Sequence, residues 1–99
     1  MECGMTEMDP TTAEIFRALG NADRLAILDH LRKSSRGGAS VTALAEHTGI
    51  SRFAASHHLA VLRSVGLLKM NPENHQRVHR LNHETLGIIE DWLYQFEVT

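Results

Sequence analysis

Apolar residues in this chain fall in short, regularly phased groups, and the phase changes once. Up to residue 66 it is helical. Ile15, Phe16 and Leu19 follow Thr11 and Thr12, either of which can cap a first helix, and Gly20 ends it. Asn21 caps a second helix, NADRLAILDHLRKS, where Leu25, Leu28 and Leu31 recur three apart with Ile27 alongside. Arg32 and Lys33 suit its C-terminal end. SSRGGAS reads as a loop by composition. Ser40 or Thr42 starts a short third helix, VTALAEHT, which Gly49 stops. Ser51 caps a fourth, running to about Val65 and ended by Gly66.

Beyond Gly66 the period shortens. LLKM and RVHRL read as the strands of a hairpin around the turn residues Asn71-Pro72-Glu73-Asn74. A last helix, HETLGIIEDWLYQFE, carries Leu86, Ile89, Leu93 and Phe96 at 3, 4, 3 spacing, with Ile88 and Trp92 beside them. That stripe is wide for a helix ending a small domain. The expected fold is mostly α with a small β-hairpin, in the order α-α-α-α-β-β-α. The third and fourth helices, joined at Gly49-Ile50, match a helix-turn-helix, and the hairpin that follows makes it a winged one. One domain over residues 11–98 is expected, behind a flexible N-terminus at 1–10.

The fourth helix has two faces. On a wheel of about 100° per residue, Ala55, Leu59 and Leu62 share an apolar arc extended by Ala54, Val61 and Val65. The opposite arc carries Arg52, Phe53, Ser56, His57, Ala60 and Arg63. The boundary runs between His57 and His58: the first lies on the polar arc, and the second, in the apolar arc, is expected to be hydrogen-bonded inside the helical core or against the neighbouring helix. Arginine and serine suit phosphates and base edges, and small residues permit close approach to a groove. Arg52 lies in the first turn, where a recognition helix reaches bases, and Phe53 offers a contact to a thymine methyl.

Charge sharpens this picture. The formal net charge is −2, which by itself argues against a nucleic-acid partner. Its distribution does not. Residues 51–80 hold Arg52, Arg63, Lys69, Arg77 and Arg80 against Glu73 alone. Residues 81–99 hold Glu84, Glu90, Asp91 and Glu97 with no base, and residues 1–20 hold four acids and Arg17. The basic third quarter coincides with the candidate recognition helix and wing.

Other function classes find little support. No Gly-rich phosphate loop, HExxH or serine elbow is present, and Ser56-His57 is not a nucleophile–base geometry, so an enzyme is not expected. MECGMTEMDP lacks an apolar core, so no secretory leader is expected, and apolar runs are too short for a bilayer span; a cytoplasmic location is the default. Cys3 is the single cysteine and has no partner for an internal disulfide.

The segments FRALGNADRLAILDHL, VTALAEHTGISRFAASHHLAVLRSVGLLK and RVHRLN resemble the ArsR/SmtB family of winged-helix repressors over about residues 13–96. The LA-x-x-x-GIS, S-x-HL-x-x-L and GLL elements occur in the family's order. The branch most similar lacks a clear metal site and ends in a pattern like DWL-x-x-F. The resemblance implies a homodimer joined through the first and last helices, with Ile15, Phe16, Leu19, Leu86, Ile89, Trp92, Leu93 and Phe96 at the interface. It implies double-stranded DNA as partner, the fourth helix in the major groove and the hairpin along the backbone. Arg52, Phe53, Ser56 and His57 take the DNA-contact positions, with Val41 and Thr42 near phosphate. Ser51, Arg63, Lys69, His75 and Arg77 complete the candidate set. Relatives often carry Gln or Ser where this chain has Arg52 and Phe53, which bears on the operator sequence.

Many relatives sense metals or thiol redox state. The Cys-x-Cys pair of the thiol-type third helix is missing from TALAEHT, and the zinc-type ligand set of the last helix is not reproduced. His79, His83 and Glu84 are the least poor ligands. No metal or other cofactor is therefore expected, and the sequence does not specify a small-molecule effector. The reading is a dimeric repressor at an inverted-repeat operator. A metal- or redox-responsive sensor of the same family, and a winged-helix protein-interaction module without DNA, are the alternatives.

Overall fold

The computed structural model describes residues 11–34 and 37–97. The expected flexible segment 1–10, with Cys3, lies outside the described residues. Five helices and three strands follow in the order α1 (Thr12–Leu19), α2 (Ala22–Lys33), β1 (Gly38–Ser40), α3 (Val41–Thr48), α4 (Arg52–Ser64), β2 (Leu68–Glu73), β3 (Gln76–Leu81) and α5 (His83–Tyr94).

Polar side chains start the helices where the sequence places them. Thr11 and Glu14 form a reciprocal capping box, each side chain accepting from the other's backbone N–H at 3.2 Å. Asn21, Ser40 and Ser51 accept from the backbone N–H three residues on, at the heads of α2, α3 and α4. Gly49 ends α3 at φ +77°, the left-handed conformation that a tight turn into α4 requires and that glycine adopts without steric penalty.

The core lies between α2, α3, α4 and the base of the wing. Ile27, Leu31, Leu44, Leu59, Leu62, Leu67 and Leu68 are buried in one cluster, which Ile15 of α1 and Ile89 of α5 join. The apolar arc read from the wheel is the buried one: Ala55, Leu59 and Leu62 are its fully enclosed residues.

Two features of the wing differ from expectation. SSRGGAS is not all loop, because Gly38–Ser40 forms a strand that pairs antiparallel with β3 and makes a three-stranded sheet in the order β1-β3-β2. Gly38 permits that pairing: a Cβ there would stand 2.8 Å from Cγ of Arg80. The turn is also later than Asn71–Asn74. β2 runs through Pro72 to Glu73, and the reversal is made by Asn74 and His75, with φ of +52° and +66°. Pro72 is tolerated because β2 is an edge strand. Two successive positive φ values match the twist a two-residue hairpin turn needs.

One asparagine fastens the wing to the helices. Asn82 accepts from the Glu84 N–H at the head of α5, and its amide donates to the Gly66 carbonyl after α4 at 2.9 Å. The Leu67 N–H donates to the Leu62 carbonyl at 3.0 Å, so the chain enters β2 still bonded to α4.

His79 is the fully buried polar residue at this junction. Arg63 of α4 donates to its Nε2 at 2.7 Å, so the proton of the neutral ring sits on Nδ1, which is buried and makes no hydrogen bond. Burial first, then the Arg63 guanidinium, pushes this imidazole below its ordinary value, while the nearby Arg77 backbone opposes the shift. A lowered folded-state value means full stability above the unfolded value of 6.5, lost as pH falls through it, because only the unfolded chain then takes up the proton readily. Urea denaturation at pH 7.5 and 5.5 should therefore show a larger loss in the wild type than in His79→Gln; equal losses contradict it.

Candidate nucleic-acid interface

The exposed arc of α4 is the one left over when its leucines are buried. Arg52, Phe53, Ser56, His57 and Ala60 all stand in solvent, and α4 contains no carboxylate. Because α3 and α4 meet across the Gly49 turn, the heads of both helices open toward the wing. Ser40, Val41 and Thr42 at the start of α3, Arg52 at the start of α4, and His75, Gln76 and Arg77 of the wing line one cleft of about 230 Å³. Two guanidinium side chains and no acid line it. Unpaired N–H groups at the two helix starts add partial positive charge there.

The histidine pair divides as the wheel requires. His57 is exposed. The His58 side chain retains 13% of its surface. Arg24 of α2 donates through Nη1 to Nδ1 of His58 at 3.2 Å, and through Nε to the Ala18 carbonyl of α1 at 2.6 Å. Asp23 Oδ2 lies 3.7 Å from the other ring nitrogen. The side chain of Arg24, to which the sequence drew no attention, thus ties the end of α1 to the inner edge of α4. Its only local signal is a place one turn into α2.

Ser51, Arg63 and Lys69 are not among the residues lining that cleft. Ser51 is exposed, with its hydroxyl already committed to capping α4. Arg63 does not reach the exposed arc: it lies half-buried at the far end of α4, bonded to His79. Residues paired in register share a sheet face, so Arg77, opposite Pro72, lies on the His79 face that packs toward α4. Lys69, opposite Arg80, is exposed on the other face. Arg80 itself is held in a bidentate pair by Glu73, with contacts of 2.6 and 3.2 Å. The guanidinium in turn keeps the Glu73 carboxyl below its ordinary range. Among the described residues no three His, Cys, Asp or Glu side chains gather at a point. His79 is enclosed, while His83 and Glu84 are exposed at the head of α5.

A second surface runs along α5. Ile88, Trp92, Leu93, Tyr94 and Phe96 are all at least two-fifths exposed. Phe16 of α1, Trp92 and Phe96 make a chain of edge-to-face aromatic contacts, with ring centroids 5.3 and 4.8 Å apart. Ile15 and Ile89 are not part of that surface, since both are buried inside the protomer. Phe16, Leu19 and Leu86 are partly buried against the same core. The sequence listing of apolar stripe residues did not separate those the protomer buries from those it leaves exposed.

Helices paired across a glycine turn, a solvent-facing second helix and a hairpin beside it define a winged helix-turn-helix domain. A family model described as a helix-turn-helix domain matches residues 19–71. The HTH-type transcriptional regulator NmtR of Mycobacterium tuberculosis is 45% identical over 56 residues, covering 57% of this chain and 44% of that protein. The matched region thus spans less than half the length of that relative. The homodimeric winged helix-turn-helix DNA-binding domain of a possible ArsR-family regulator from Mycobacterium bovis is 31% identical, with a TM-score of 0.68 over 87% of this chain and 76% of that one. An ArsR-like regulator from Rhodococcus is 27% identical, with a TM-score of 0.74 over 87% and 78%. The chain belongs to the ArsR family of winged helix-turn-helix transcriptional regulators.

The two histidines should respond differently to truncation. His58→Ala leaves Arg24 Nη1 without its acceptor and should lower stability by about 1–3 kcal/mol. His57→Ala should change it by less than about 0.5 kcal/mol. Denaturant unfolding of both variants decides; equal effects would refute the assigned phase of α4.

Proposed function

We propose that the chain acts as a homodimeric repressor that binds an inverted-repeat operator in duplex DNA. The observation that carries this reading is the acid-free cleft where the heads of α3 and α4 meet the wing turn, with Arg52 and Arg77 in its lining. On duplex DNA the exposed arc of α4 enters the major groove. Arg52, Ser56 and His57 contact base edges or phosphates, and Val41, Thr42 and the Ser51 end of α4 lie along the backbone. His75 and Arg77 follow the neighbouring backbone from the wing, and Lys69 adds charge from the wing's other face. Arg63 is omitted from this set because His79 already holds it. Repression follows from occupying a site that polymerase needs.

A second copy covers the exposed face of α5. Ile88, Trp92, Leu93, Tyr94 and Phe96 are large apolar side chains exposed together along α5 and its end, the kind of surface that marks an interaction site. The homodimeric relative from Mycobacterium bovis supports the same reading. A dimer also supplies the two recognition helices that an inverted repeat requires. The regulator works in the cytoplasm, where its DNA is.

Selection from a random duplex library, followed by titration across salt, tests the DNA reading. Arg52→Ala should weaken the selected sequence by about 1–3 kcal/mol and relax preference at one base pair of each half-site. Arg77→Ala should weaken all duplexes alike and flatten the salt slope by about 1 per protomer. Failure to enrich any sequence overturns the operator reading. For the dimer, Leu93→Asp should give a folded monomer in sedimentation, and an unchanged dimer would remove α5 from the interface.

A further inference from the structure

We propose that Phe53 is a specificity-determining residue that reads the 5-methyl group of a thymine in the major groove. The inference rests on the DNA-binding reading and names a feature of the operator that reading leaves open. Phe53 is 87% exposed, more than any other large apolar side chain among the described residues. The others have a common explanation. Ile88, Trp92, Leu93, Tyr94 and Phe96 share α5 and its C-terminal end, and Leu25 lines an apolar groove with Leu81 and Leu86 beside it. Phe53 stands apart from that surface, in the first turn of α4.

Its surroundings narrow what can cover it. Phe53 heads a stripe with Ser56, His57 and Ala60, at i, i+3, i+4 and i+7, and all four are exposed. No carboxylate, ammonium or guanidinium lies on that stripe. The cations flank it: Arg52 precedes the phenylalanine and lines the cleft with Arg77. A protein partner would need a cluster of apolar anchors, and one ring followed by serine and alanine does not supply it. A membrane surface would need a broad apolar face for the same reason. A duplex offers what this stripe complements: phosphates at the groove edges for the arginines, and isolated methyl groups on the groove wall for a single ring. Ser56 and Ala60 are short, so the helix can sit close to the groove floor and bring the ring to the thymine edge. Arg52, the preceding residue, points about 100° away and serves a neighbouring base or phosphate.

The test uses the operator obtained by selection with the wild-type protein. Each thymine is replaced in turn by deoxyuridine, which removes the methyl group and keeps the hydrogen-bonding pattern. At one thymine of each half-site the wild type should lose about four- to tenfold in affinity, the scale of one methyl group withdrawn from an apolar contact. Phe53→Ala should bind the thymine duplex more weakly and be indifferent to deoxyuridine at that position; Phe53→Leu should retain part of the discrimination. The wild-type arm does not depend on how any variant folds. Indifference of the wild type to deoxyuridine everywhere overturns the inference, as does a Phe53→Ala variant that keeps the wild-type sensitivity. Both of these leave the DNA-binding reading intact; only failure to enrich any sequence removes the two together.

Discussion

Leu59 and Leu62 have no surface left in water, and they hold one arc of α4 in the cluster that contains Leu44 of α3 and Ile27 and Leu31 of α2. A helix that buries one arc presents the other, with no freedom to choose which. The exposure of Arg52, Phe53, Ser56 and His57 is therefore a by-product of leucine burial. The same burial fixes the wing, because Leu67 and Leu68 belong to the cluster and the Leu67 N–H is still bonded to α4. Asn82 extends the constraint to α5 by holding the Gly66 carbonyl while capping that helix. Recognition helix, wing and terminal helix thus share one mechanical frame, rooted in a few fully enclosed leucines.

What the sequence made legible is what depends on local spacing. Helix caps at Thr11, Asn21, Ser40 and Ser51 are set by bonds three residues long, and all four act as their residue types suggest. The two faces of α4, including the division between His57 and His58, follow from 3.6-residue periodicity alone. Strand β1 was not legible, because three residues, GAS, show no alternation and their pairing partner lies some forty positions away. The turn was misplaced because proline and asparagine at 71–72 look like a reversal, while an edge strand tolerates both. The apolar stripe residues raise a different limit. A stripe identifies what is apolar, and only the packed protomer separates Ile15 and Ile89, used internally, from Trp92, Leu93 and Phe96.

Electrostatics shows the same limit. Counting residues 51–80 suggests a strongly basic surface, but two of its cations are engaged with other parts of the protein. Arg63 turns in to His79 across a sequence separation of 16, and Arg80 is neutralised by Glu73 within the sheet. Neither pairing leaves a mark on local composition. The burial of neutral His79 beside a guanidinium is a further cost that composition cannot display, incurred where the wing joins α4.

If the chain binds DNA as proposed, the Glu73–Arg80 pair has a kinetic meaning as well. Non-specific residence on random DNA is governed almost wholly by the number of phosphates a protein neutralises. With Arg80 closed on a carboxylate and Arg63 turned inward, the cations that the proposed DNA reading places near the groove, among the described residues, are Arg52, Arg77 and Lys69. Such a sparse set grips random sequence weakly, so each unproductive encounter is brief and the molecule returns quickly to three-dimensional search. Retention at the proposed operator would then fall to groove contacts that form only on the right sequence. On the proposed DNA-binding reading, an internal ion pair in the wing thereby shifts the balance from holding DNA to scanning it.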